Sequence, residues 1–169
     1  RELAARVAEI AALPIQDEKR RLWRDLNGLR PSRPMVTIDQ VCWNEMGIDN
    51  EFPLHCEDPE CRGYENHLRR ILFQWEHFPV DMVVDAFIRI PKAITNTGFG
   101  IKIDEEVAVT DPTSGVVGHA YTNQFQTEAD LEKIKVPQIS HDAAETERRL
   151  GVAHELFDGL LEVRAEGIA

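Results

Sequence analysis

Val80-Asp81-Met82-Val83-Val84-Asp85-Ala86-Phe87-Ile88-Arg89-Ile90, residues 80–90, is the stretch on which the fold turns. Pro79 stops the helix before it, and the apolar, β-branched run that follows reads as a strand. On the N-terminal side lies a long helical pattern from about Pro59 to Phe78. Leu68, Ile71, Leu72, Trp75 and Phe78 fall on one of its faces. Further back, Met35-Val36-Thr37-Ile38 is a second short β-branched run, read as a buried strand. On the C-terminal side, Asp142 can cap a helix running to about Phe157. Gly159 closes that helix, and Leu160–Ala165 begins another strand. Strands separated by long helices predict βαβ units and a parallel sheet, an α/β fold.

Two helices precede this core, one over residues 2–13 and one from about Gln16 to Leu29 with Leu22, Leu26 and Leu29 as its buried stripe. Between residues 95 and about 125 the helical period disappears. Thr95–Gly100 reads as a turn. Ile101–Ile103, Val107–Val109 and Val116–Phe125, divided by the turn Asp111–Gly115, read as an antiparallel hairpin insert. Thr127 can cap a short helix through Ile134. The 169 residues thus fall into leading helices over 1–33 and a strand-and-helix body over 34–169.

Composition limits the function. With 43% apolar and 29% charged residues the chain can bury a core, so general disorder is excluded. A net charge of −11 argues against a nucleic-acid partner, since phosphate backbones demand local positive charge. The imbalance is uneven: residues 1–35 carry a net +3 and the rest −14. No run of about 18 apolar residues predicts a membrane span. Three cysteines, Cys42, Cys56 and Cys61, are no disulfide framework, which predicts reduced thiols and a cytoplasmic setting. The first residue is not methionine and the chain stops inside a strand-like run, so both ends read as cut.

Four places carry residues suited to chemistry. In parallel α/β folds function collects where strands give way to loops, which singles out Asp39-Gln40-Val41-Cys42-Trp43-Asn44 after the Met35–Ile38 run. Asp39 there would accept hydrogen bonds from a ligand, Gln40 would orient it, and Trp43 would supply an apolar wall. The plainer alternative makes Asp39 a helix cap and buries Trp43. The same strand-end rule points to Arg164 and Glu166. His55, Cys56 and Cys61, with His67 beyond, have the donor atoms for zinc but not its usual tight spacing, so no metal is expected. Gly98-Phe99-Gly100 lacks the Lys-Ser/Thr of a phosphate loop, and His154-Glu155 lacks the second histidine of a zinc protease. No catalytic residue is identified by spacing alone.

From about Leu22 onward the chain resembles the N-terminal part of the uroporphyrinogen decarboxylase superfamily, and within it the corrinoid-linked methyltransferase-like branch. The resemblance rests on Arg30-Pro31-Ser32-Arg33-Pro34-Met35-Val36, on Cys56-Glu57-Asp58-Pro59 before Leu68–His77, on Val80–Val84, on Thr97-Gly98-Phe99-Gly100, and on Ala153–Gly159. It implies the opening part of a (β/α)8 TIM barrel, with leading helices and the hairpin as an insert. It also implies a cytoplasmic enzyme moving a methyl group between a small methylated substrate and a corrinoid protein. Corrinoid and zinc would belong to the complete protein, with zinc ligands later in the barrel than this chain reaches, and no cofactor is expected on the chain itself. Decarboxylases of the family carry Arg-Gln-Ala-Gly-Arg-Tyr where Asp39–Asn44 stands here. Gln40 matches, but Asp39 and Trp43 replace the two arginines. Their Phe-Ser-Asp is likewise absent or displaced, since this region reads Asp85-Ala86-Phe87-Ile88-Arg89. A carboxylate in place of a cation disfavours a polyanionic tetrapyrrole. The rival readings are a non-catalytic interaction module of the same fold and a small zinc-binding domain built on Cys56 and Cys61.

Overall fold

The computed structural model describes residues 1–43, 53–110 and 117–167. Helix α1 spans Glu2–Ala11 and buries Ala4, Val7 and Ala11. Helix α2, Pro14–Asn27, starts with proline at its first turn, where the missing N–H costs no intrahelical bond. Its buried residues are Gln16, Lys19 and Leu22; of the expected stripe Leu22 is buried, Leu26 is half-buried and Leu29 is 89% exposed. Polar anchors rotate the helix. Gln16 Oε1 accepts the Val84 N–H at 2.9 Å, and the Lys19 ammonium lies 4.7 Å from the centre of the Trp75 ring.

Helix α3 runs Pro59–His77. Asp58 caps it, its Oδ1 accepting from the N–H groups of Glu60 at 3.0 Å and Cys61 at 2.9 Å. Strand β1 is Phe87–Pro91, shorter than the expected Val80–Ile90. Residues 79–86 are irregular because Val80 turns the chain at φ 29°, outside any strand conformation. Met35–Ile38 does not form a strand either. The Asp81 carboxylate takes the Val36 N–H at 2.8 Å, the donor a neighbouring strand would need, while Asp81 N–H donates to the Val36 carbonyl.

After β1 the chain makes the insert. Strand β2, Ala93–Asn96, pairs antiparallel with β5, Ile139–Asp142, and β3, Glu105–Ala108, pairs antiparallel with β4, Gly118–Tyr121. A 3-10 helix at Glu128–Lys133 is capped by Thr127 and Asp130. The antiparallel insert expected at about 95–125 therefore extends from Ala93 to Asp142. Thr95 and Asn96 belong to a strand, with the turn confined to the residues after them. Ile101–Ile103 is not a strand, and the turn expected at Asp111–Gly115 lies outside the described residues. Helix α4, Ala143–Phe157, is capped by Asp142, which accepts the Glu145 N–H at 2.9 Å. Strand β6, Glu162–Glu166, returns parallel to β1 in the register Ile88↔Val163 and Arg89↔Arg164.

The core joins these elements into one mixed α/β body. Ala4 and Val7 of α1, Leu68 and Leu72 of α3, and Ala153 and Phe157 of α4 pack against Ile88 and Ile90 of β1. Arg1 ties the ends together, donating to the carbonyls of Glu155, Leu156 and Asp158 at the C-terminus of α4. Among the described residues no helix is long and apolar enough to cross a membrane.

Candidate functional site

Alternation along β1 sends Ile88 and Ile90 into the core and Phe87 and Arg89 to the opposite face. Across the parallel ladder, Glu162, Arg164 and Glu166 alternate with Val163, which packs against the core. The core helices lie on the Ile88 side, so the Phe87 side carries two arginines and two glutamates. That departs from ordinary parallel strands, which are buried on both faces and read as continuous apolar runs. Arg164 Nη2 donates to Glu162 Oε2 at 2.6 Å, and its guanidinium carbon lies 3.8 Å from the centre of the Phe87 ring. The Arg89 guanidinium lies 5.1 Å from the same ring, with its Nε 3.5 Å from Glu166 Oε2. Arg164 and Glu166, both expected from the sequence, therefore share a face with Arg89 and Phe87, which the sequence did not single out.

Where that face meets α3, a cleft of about 280 Å³ opens along the edge of β1. Tyr64, His67 and Ile71, spaced for one helical face, form one wall, and Asp85, Phe87 and Arg89 form part of the other. Asp85 is engaged by Arg20 through Nε at 3.3 Å and Nη2 at 3.1 Å. Tyr64 donates to Glu60 Oε1 at 3.1 Å, and its pKa is pushed up to about 12 by burial first and then by Glu60. The His67 imidazole is held below its ordinary value by desolvation first and then by Arg70.

Asp39 stands elsewhere. It lies in a separate cavity of about 440 Å³ with Trp23, Thr37, Gln74, Asp81 and Met82. Its Oδ1 accepts from Thr37 Oγ1 at 2.8 Å, and it caps no described helix. This cavity borders residues 81–83, ahead of β1, and not the C-terminal end of a parallel strand, where the strand-to-loop rule would place Asp39. The turn at Val80 and the Asp81 bridge to Val36 cause the difference. Gln40 is exposed. Trp43 packs edge-on against Phe73, ring centres 5.9 Å apart, under the Arg70 guanidinium at 4.9 Å. Trp43 is not among the described residues that line the Asp39 cavity. Asn44 lies outside the described residues.

The cysteine cluster is organised by Glu65. Its buried carboxylate accepts the N–H groups of His55 at 2.8 Å and Cys56 at 2.9 Å, and pairs with Arg69 at 2.8 Å. Desolvation works to raise the Glu65 pKa, but the Cys56 and His55 N–H groups and Arg69 outweigh it and hold it at about 2. Burial pushes the Cys56 and Cys61 thiols up. His67 lines the β1 cleft and not the cavity that holds His55, Cys56 and Cys61. Among the described residues no three His, Cys, Asp or Glu side chains converge as a metal site.

No family model, curated protein or solved structure matches the chain.

Proposed function

We propose that the chain is the N-terminal portion of a uroporphyrinogen decarboxylase-like methyltransferase, moving a methyl group between a small methylated substrate and a corrinoid carrier protein. The observation that carries the reading is the two-sided parallel pair β1–β6. Helices cover its Ile88 side, and Arg89, Arg164 and Glu166 stand on the other. In a (β/α)8 barrel the uncovered side is the inner wall, and strand ends supply the substrate-facing groups. Two stretches that carry the resemblance also meet in space, because Arg33 of the first binds Asp81 of the second. In this reading Asp39 accepts a hydrogen bond from the substrate, Gln40 orients it and Trp43 lines its path, although the described residues place Asp39 in a cavity apart from the face that carries Arg164 and Glu166. Arg164 and Glu166 fix its charge.

Zinc would activate the methyl donor or acceptor where the family uses it. The described residues do not fit a metal site. Asp39 is an exposed carboxylate where a tetrapyrrole decarboxylase needs a cation, which keeps decarboxylation disfavoured. The test is to incubate the complete parent protein with methylated amines, thiols and methoxyarenes plus cob(I)alamin. Appearance of the methylcobalamin spectrum is expected. Formation of coproporphyrinogen from uroporphyrinogen would overturn the reading.

One observation favours the rival reading as an interaction module. The insert exposes large apolar side chains, among them Phe99 at 64%, Ile103 at 75%, Tyr121 at 67% and Val136 at 87%. Methylcobalamin formation separates the two readings, since a scaffold produces none.

A further inference from the structure

We infer that the cleft between α3 and the edge of β1 is a binding site for a small monocarboxylate, with Arg89 taking the carboxylate and Phe87 and Ile71 taking the apolar body. The inference goes beyond methyl transfer and does not require it.

Charge accounting within the cleft decides the sign of the ligand. Its one described carboxylate, Asp85, is already held by two nitrogens of Arg20. Its cation, Arg89, is held loosely through Nε alone at 3.5 Å, and its side chain is 61% exposed. The two Nη atoms of Arg89 meet no acceptor among the described residues, so a planar fork of donors is open to a carboxylate. The glutamates of the same face, Glu162 and Glu166, do not line the cleft. Arg164 stacks on the same Phe87 ring but is paired with Glu162 at 2.6 Å and does not line the cleft, so Arg89 is the one described cation of its lining. Ring nitrogens of His67 on the opposite wall offer a neutral polar contact.

Size and charge narrow the ligand further. A cleft of about 280 Å³ lies just below the range of drug-sized pockets, so it suits a molecule of about one ring. A dianion would face Asp85 with a single loosely held guanidinium to compensate, which leaves a monoanion as the fit. Tyr64, Ile71 and Phe87 then supply apolar surface to an aromatic or branched body.

Benzoate is the probe, with neutral, isosteric benzamide as its control. The 169-residue chain is titrated with each and followed by amide NMR. Saturable shifts at residues of β1 and α3 are expected with benzoate, and binding about ten-fold weaker with benzamide. Arg89→Gln should weaken benzoate by about ten-fold and Arg89→Glu should abolish it. Glu166→Gln should tighten it by releasing Arg89. Arg21→Gln, a distant surface change, should leave it unaltered. Circular dichroism confirms that the exposed Arg89 variants stay folded. Absence of saturation, shifts confined to other elements, equal binding of benzamide, or unchanged affinity in both Arg89 variants would each overturn the site. Benzoate binding without methyl transfer by the parent protein would retain the site and remove only the methyltransferase reading.

Discussion

Arg33 and Asp81 form a two-point ion pair, Nη1 to Oδ2 at 2.8 Å and Nη2 to Oδ1 at 2.5 Å. The same carboxylate accepts the Val36 N–H, and the Asp81 carbonyl accepts the Trp23 indole N–H at 2.8 Å. One buried side chain thus ties the segment leading to Asp39 onto the residues ahead of β1. The Arg33 hydrogen bonds, then the Val36 N–H, hold the Asp81 pKa at about 2.

Asp81→Asn keeps the shape and removes the charge, and it should cost about 2 kcal/mol at pH 7. The sign follows from the lowered pKa. The stabilisation is complete above the unfolded carboxylate value, near pH 4, and is lost as pH falls toward about 2. Urea unfolding of both proteins from pH 7 to pH 2 checks this. The gap between them should close below pH 4, and a constant gap would contradict the assignment.

Glu65 works in the same way for the loop before α3. Glu65→Ala leaves the His55 and Cys56 N–H groups without their acceptor and should destabilise the chain by about 2 kcal/mol. Hydrogen exchange at His55 and Cys56 should accelerate, while exchange within β1 and β6 changes only by the loss of global stability.

These ties explain which parts of the fold could be read from sequence. Local signals were enough to place the helices: Asp142 caps where capping chemistry put it and α3 begins at the expected Pro59, but its Asp58 cap was not singled out, and α2 begins at Pro14 and not at about Gln16. The parallel pairing followed from the alternation of strand and helix patterns. What failed depended on distant partners. Met35–Ile38 has strand composition, but the Asp81 carboxylate takes the amide that a strand ladder needs. Gln16 and Lys19 look like a solvent face of α2, and their burial depends on Val84 and Trp75 far along the chain. The strand-end rule singled out Arg164 and Glu166. Arg89 was not singled out, because its place beside Arg164 comes from strand register, which no local pattern encodes.

The three thiols should separate in reactivity. Cys42 is exposed, whereas Cys56 and Cys61 are half-buried with pKa values raised by desolvation first, then by Glu65 and Asp58 respectively. A raised pKa lowers the thiolate fraction at neutral pH, and the thiolate is the reacting form. Iodoacetamide at pH 7.5, followed by peptide mass spectrometry, should label Cys42 first, with Cys56 and Cys61 slower by about ten-fold. In Glu65→Ala, Cys56 should gain reactivity. Equal labelling of all three in the native chain would contradict the burial.

Asp39 gives the sharpest separation between a structural and a functional role. Its carboxylate contacts Thr37 on an exposed stretch, and no helix depends on it for a cap. Loss of a true cap would cost about 1 kcal/mol, whereas an exposed substitution of this kind stays within about 0.5 kcal/mol. Asp39→Ala should therefore leave the melting temperature of the chain nearly unchanged. If the complete protein transfers methyl groups as proposed, the same variant should lower turnover by about 100-fold, the scale of a lost polar contact in the transition state. Asp81→Asn supplies the contrast, because it displaces the same segment by destabilising it, and its activity should recover at lower temperature as the fold is restored. Activity of Asp39→Ala at the wild-type level, with stability unchanged, would remove Asp39 from the site and leave Arg164 and Glu166 as the substrate-facing pair to test.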